Sequence, residues 1–131
     1  LVGSEMCIRD SLKGDLGAGK TTLARGLIMG LGHIGSVKSP TYSLIEQYEF
    51  DMFTLNHFDL YRFTNPNEWS SSGFQEYINN NDVTLIEWPE KSAEFLPKPD
   101  LEIELLYKNE SRIAHINGFT EKGHKCLANL S

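Results

Sequence analysis

Eight consecutive residues, Gly14-Asp15-Leu16-Gly17-Ala18-Gly19-Lys20-Thr21, have the types and spacing needed to hold a polyphosphate. They satisfy the pattern G-x-x-x-x-G-K-[ST] in full. Gly14, Gly17 and Gly19 let the backbone curl so that successive N–H groups converge on one concavity, which suits an anion. A helix opening at Thr21 adds roughly half a positive charge beneath the phosphates. Lys20 brings a point charge to the β- and γ-phosphates, and the Thr21 hydroxyl can ligate Mg²⁺. With Gly at about 7% of residues on average, the full pattern arises by accident in well under about 1% of chains this size. A glycine-rich turn that happens to carry a lysine is the weaker alternative. The expected nucleotide-binding set is Gly14, Gly17, Ala18, Gly19, Lys20, Thr21 and Thr22.

A magnesium nucleotide also needs an acid at the end of a neighbouring strand. Two positions qualify. Glu87 closes the apolar run Val83-Thr84-Leu85-Ile86, and Asp59 closes the stretch containing Leu55 and Phe58. One carboxylate would hold the metal and the other would orient an attacking water; the sequence alone does not order them. The bland reading of either is a surface acid or an ion-pair partner. Thr41, after Ser39-Pro40, is placed where a switch loop could reach a γ-phosphate, although such a threonine is more often a turn cap. Arg62 could neutralise transition-state charge or simply pair with a surface acid. Trp88 follows Glu87 directly and could lie near the nucleotide, although a core or partner-facing ring is the default. The four histidines, His33, His57, His115 and His124, show no metal-ligand spacing, and His57 two residues before Asp59 is also a common core arrangement.

The elements that must position these groups follow from periodicity. Leu23, Ala24, Leu27, Ile28 and Leu31 share one face of a helix over Thr21–Leu31, which Gly32 is placed to end. Strands are expected at Tyr42–Phe50 and Phe53–Phe58, a short helix at Gly73–Ile78, and a buried strand at Val83–Glu87. Leu101, Ile103 and Leu105 alternate with Glu102 and Glu104, and Arg112–Gly118 pairs back as a hairpin across Lys108–Ser111. A weak C-terminal helix, Thr120–Leu130, is interrupted by Gly123. The fold class is α/β: a P-loop NTPase-like three-layer sandwich with a mixed, mainly parallel sheet and a C-terminal β-hairpin. The start of the chain does not suit this scheme. A phosphate loop is normally fed by a buried apolar strand, yet Cys7-Ile8-Arg9-Asp10-Ser11-Leu12-Lys13 is polar. Residues 1–11 are therefore read as a non-native or disordered segment, with an unusual exposed strand as the weaker alternative, and residues 12–131 as a single domain.

The bulk properties narrow the function classes. A chain of 131 residues forms one domain, and no apolar run approaches the roughly 20 residues that span a bilayer. A net charge of −6 argues against nucleic acid as the dominant direct partner, because such binding relies on clustered Lys and Arg. Two cysteines, Cys7 and Cys126, are read as unpaired thiols in a reducing compartment.

Four segments occur in order: Gly14–Thr22, then Ser39-Pro40-Thr41-Tyr42, then His57-Phe58-Asp59-Leu60-Tyr61-Arg62, then Ile86-Glu87-Trp88-Pro89-Glu90. Together they resemble the bacterial tRNA threonylcarbamoyladenosine biosynthesis ATPase family (TsaE, formerly YjeE) over about Lys13 to Tyr107. The resemblance implies a cytoplasmic P-loop ATPase that uses ATP and Mg²⁺. It would act on a two-protein transferase assembly of the TsaB and TsaD type, resetting it by hydrolysis. The tRNA, modified at adenosine 37, would be met only through that complex. On the same resemblance Thr41 lies in a first switch, Asp59 in a second and Glu87 in the metal site. With the loop motif's own Lys20 and Thr21, the expected catalytic set is Lys20, Thr41, Asp59 and Glu87, and the expected metal set Thr21 and Glu87. Family members carry a helix and an apolar strand before the loop, which here are expected to be missing or replaced. Two other classes compete: a P-loop kinase of a small metabolite, and a nucleotide-binding interaction module without significant turnover. An Arg-rich lid, which a kinase needs, is poorly supported, since only Arg62 lies between the first helix and Glu87. A GTPase is disfavoured by the lack of an Asn-Lys-x-Asp motif.

Overall fold

A computed structural model describes residues 9–78 and 82–130. In chain order the elements are β1 (Arg9–Gly14), α1 (Lys20–Gly30), β2 (Ile45–Glu49), β3 (Thr54–Asp59), α2 (Glu68–Ser71), β4 (Val83–Glu87), β5 (Leu101–Lys108), β6 (Ser111–Gly118) and α3 (Glu121–Leu130). Short 3₁₀ segments occupy Phe74–Tyr77 and Pro89–Phe95. The strands form one sheet in the order β2-β3-β4-β1-β5-β6. Strands β3, β4, β1 and β5 run parallel, and antiparallel β2 and β6 flank them. The α/β, mainly parallel sandwich and the C-terminal hairpin expected from the sequence are both present.

The two faces of the sheet carry separate cores, because side chains alternate along each strand. On one face Leu12, Leu55, Val83 and Leu85 pack with Ala24 and Ile28 of α1. On the other, Phe58 and Ile86 pack with Leu60, Phe63, Trp69 and Phe74. Between β3 and β4 the described residues hold two helical pieces where the sequence suggested one. Glu68 explains the extra one: its carboxylate accepts the backbone N–H groups of Thr64 (2.6 Å) and Asn65 (2.9 Å), fixing the start of α2. Strand β2 begins at Ile45 rather than Tyr42. The Leu44 N–H folds back onto the Pro40 carbonyl (2.7 Å), and Leu44 has φ 72°. The closing hairpin is tighter than expected, turning at Asn109 with φ 57°.

The largest departure from the sequence reading is at the start. Residues 1–8 lie outside the described residues, but Arg9–Ser11, assigned above to a segment outside the domain, form the first half of β1. That strand sits inside the sheet, hydrogen-bonded to β4 on one side and β5 on the other. Backbone pairing overrides the polar composition here. Lys13 tolerates its place by an ion pair with Glu102 (2.9 Å). The Arg9 N–H donates to the Asp100 carboxylate (3.0 Å), which also accepts the Thr120 hydroxyl (2.7 Å). Thr120 in turn accepts the Gly123 N–H (3.0 Å), capping α3. Helix α3 runs through Gly123 without a break. A Cβ there would collide with the Asp100 carbonyl, so glycine is what lets the helix dock. Cys126, on α3, is disulfide-bonded, which corrects its reading as a free thiol; Cys7 is outside the described residues. The cysteine count therefore carries no inference about compartment. Among the described residues, no helix is long and apolar enough to cross a membrane.

Asp10 is the poorest fit in β1. One of its carboxylate oxygens is enclosed without a hydrogen-bond partner. Burial, with the nearby Asp100 charge adding to it, pushes its carboxyl up to about 8. A group with a raised folded-state value is held protonated by the fold, so stability falls as pH climbs from the ordinary Asp range towards about 8. The expected result is a Tm that declines between about pH 4 and about pH 8, and a flatter profile in Asp10→Asn. A calorimetric scan series checks this; an unchanged decline in the variant would place the titrating group elsewhere.

Candidate functional site

The four parallel strands bring their carboxyl ends to one edge, where open α/β sheets place their ligands. The registers Leu12↔Glu87 and Asp59↔Glu87 align the ends of β4 and β3 with a point two residues before β1 gives way to the loop at Gly14. At that edge a cleft of about 270 Å³ is lined by Gly17, Gly19, Lys20, Thr21, Thr22, Thr41, Asp59 and Glu87, all singled out from the sequence. Leu16, Tyr61 and Trp88 complete the lining. Gly14 and Ala18 are absent from it. Gly14 lies at the root of the loop, and Ala18 is fully buried beneath it. Arg62 is not brought to the cleft; its guanidinium stacks on the exposed Tyr42 ring at 4.2 Å.

The loop leaves β1 at Gly14, where φ is 150° and an added Cβ would stand 2.8 Å from the Leu105 carbonyl. It enters α1 at Gly19, whose φ of 106° is left-handed and open to glycine alone at little cost. Lys20, only 4% exposed, turns back so that its amine donates to the carbonyls of Gly14 (2.6 Å) and Asp15 (2.9 Å). Burial lowers its pKa, with Glu87 and Asp59 opposing that effect. The Trp88 ring lies over the same amine at 4.2 Å. This contact depends on a left-handed backbone at Trp88 (φ 59°, ψ 48°), a strained conformation for a bulky residue. Nothing in the sequence signals that kink. From the hairpin, the Tyr107 hydroxyl and the Arg112 guanidinium (3.3 Å) both donate to the Gly17 carbonyl. Neither residue was singled out, since hairpin side chains carry no motif.

The acids divide cleanly. Glu87, 2% exposed, accepts the Thr21 hydroxyl at 3.0 and 3.2 Å and lies 2.6 Å from His57 Nε2. Asp59 accepts the Thr41 hydroxyl (3.2 Å) on one oxygen and the Tyr61 N–H (2.9 Å) on the other. Burial raises the Asp59 pKa, partly offset by the bond from Tyr61 N–H. Ser39 bonds the Thr41 hydroxyl in turn (2.8 Å). The donor set suits a hard cation, for Thr21 and Glu87 offer only oxygen. Among the described residues no group of three or more His, Cys, Asp or Glu side chains could hold a metal by itself. Mg²⁺ bound through one or two protein oxygens plus phosphate oxygens and water fits such a sparse set.

The sequence matches the family model described as Threonylcarbamoyl adenosine biosynthesis protein TsaE over residues 5–114. The chain belongs to the TsaE family. It is 41% identical to the tRNA threonylcarbamoyladenosine biosynthesis protein TsaE of Haemophilus influenzae, over 98% of this chain and 81% of that protein. Against the TsaE of Bacillus subtilis identity is also 41%, over 71% of this chain and 58% of the relative. The chain thus spans from over half to about four-fifths of these two relatives. The crystal structure of YdiB from Bacillus subtilis superposes with a TM-score of 0.76 at 30% identity, covering 92% of this chain and 74% of that one. Membership in the TsaE family joins the chain to threonylcarbamoyladenosine biosynthesis.

In this TsaE-family chain the loop geometry leaves no room at Gly14. Gly14→Ala is expected to lower unfolding stability by about 2 kcal/mol, the range for strain at a special backbone position. Urea midpoints check this, and a wild-type midpoint would mean that β5 can yield at Leu105.

Proposed function

We propose that this chain is a Mg²⁺-dependent ATP hydrolase of the cytoplasm, required for N6-threonylcarbamoyl addition to adenosine 37 of tRNA. It would work on a partner transferase assembly of the TsaB and TsaD type and reset it by hydrolysis, meeting tRNA only through that assembly. The observation that carries the reading is the contact between Thr21 and Glu87, which joins the phosphate loop to the acid at the end of β4. It favours Glu87, with Thr21, as the residues that hold the metal, and leaves Asp59 for the water.

Each residue then has a task that its surroundings support. The loop amides and the N-terminus of α1 bind the phosphates, and Lys20 exchanges its two carbonyl partners for phosphate oxygens. The chemistry that Mg²⁺ supplies, when bound, is neutralisation of charge on the β- and γ-phosphate oxygens. Asp59 orients the attacking water and takes up its proton, and Thr41 steers that carboxylate from the switch loop. Trp88 shields the Lys20 amine from water, which strengthens its attraction for an anion. Among the described residues the cleft lining contains no arginine, so it offers nothing that resembles a kinase's cationic lid.

Lys20→Ala and Glu87→Ala are each expected to reduce turnover by at least about 100-fold. The assay is phosphate release from Mg-ATP, with and without the transferase proteins. Absence of turnover in the unmodified chain under both conditions would reject the hydrolase reading. Because burial raises the Asp59 pKa, acidification should remove the working carboxylate at a higher pH than for an ordinary aspartate. A pH–rate profile that stays flat down to the ordinary aspartate range would remove Asp59 from that role.

A further inference from the structure

His57 is the one fully enclosed imidazole that the phosphate chemistry above leaves without a task. It stands on β3 opposite Leu85, two residues before Asp59, and so on the same face of the sheet as Glu87. Its Nε2 lies 2.6 Å from Glu87 Oε2, and neither side chain meets more than a trace of solvent. The other ring nitrogen, Nδ1, is enclosed without a partner. The Nε2–H tautomer is therefore the one that leaves no buried donor unpaired. A buried carboxylate must be hydrogen-bonded to remain in place. The Thr21 hydroxyl alone would leave Glu87 free to pivot, because it is shared between both oxygens at 3.0 and 3.2 Å. The imidazole, rigid and set in a strand, fixes one oxygen and turns the carboxylate towards the loop threonine.

We propose that His57 is a positioning residue for the metal site. It does not touch nucleotide or metal; it holds Glu87 so that carboxylate and Thr21 hydroxyl present their oxygens together. This rests on the reading of Thr21 and Glu87 as the residues that hold Mg²⁺. Partners of this kind, which orient a ligand through its free atom, typically change metal affinity by about 10- to 100-fold when removed.

The test compares His57→Asn with His57→Gln, two polar amides of different reach. The glutamine amide can stand where Nε2 stands, whereas the asparagine amide stops near Nδ1. Calorimetric titration with ADP, in EDTA and in Mg²⁺, separates binding by the loop from the gain due to the metal. In His57→Asn, the Mg²⁺-dependent gain should fall about 10- to 100-fold, with EDTA binding within about twofold of the unmodified chain. His57→Gln should recover most of the gain. An intact gain in His57→Asn overturns the inference, and so does an equal loss of EDTA binding in both variants, which marks a merely structural pair. If the unmodified chain itself shows no Mg²⁺ effect, the metal-site reading falls and this inference with it. Should His57→Asn fail to fold, His57→Gln decides alone, since a folded His57→Gln without the gain overturns the proposal.

Discussion

Glu87 is a carboxylate held almost out of water under the first turn of a helix, and the rest of the site is arranged around that constraint. A buried acid is tolerated only where donors meet it. Here they come from two directions, the loop threonine above and a strand histidine beside it. Parallel pairing makes this possible. Because β3, β4 and β1 run the same way, the last residues of β3 and β4, Asp59 and Glu87, stand level with each other and with Leu12, just below the phosphate loop, and both acids face the start of α1. Shifting β4 by one residue would turn Glu87 into the aromatic layer on the far side.

That far layer has a supporting role. Phe58, Trp69 and Phe74 pack with ring centroids 5.0 to 5.6 Å apart, and they clamp the strand residues that alternate with His57, Asp59 and Glu87. The polar row thus stands on a packed sheet rather than on loops, which limits how far its side chains can drift. The switch side is built differently. Thr41 and Tyr61 come from the connections after α1 and after β3, and they reach Asp59 through single hydrogen bonds. Connections of this sort open at lower free energy than core strands. One acid is rigidly framed and the other is held by movable parts.

Much of this was legible in the sequence where the signal is local. The phosphate loop declares itself by spacing, and Val83–Glu87 by an apolar run ending in an acid. The assignment of Glu87 and Asp59 to different partners was not legible, because strand order decides it. The alternation His57-x-Asp59 did place the two side chains on one face, but the partner 30 residues away that gives His57 its meaning is a tertiary contact. Strand β1 was misjudged for a related reason. Composition measures what side chains prefer, whereas a strand with neighbours on both sides is held by its backbone. The kink at Trp88 and the bond of Cys126 likewise belong to the folded chain and not to any short window.

The hairpin's grip on Gly17 bears on the thermodynamics of ligand capture. A glycine-rich loop free in solvent would forfeit much conformational entropy on closing around a phosphate chain. Here Tyr107 and Arg112, some 90 residues further along, already hold the outer carbonyl of the loop. The bound shape is partly set in advance. Affinity for the phosphate chain is thereby linked to the integrity of the last two strands, so a loosened C-terminal region would be felt as weaker capture even with every loop residue intact.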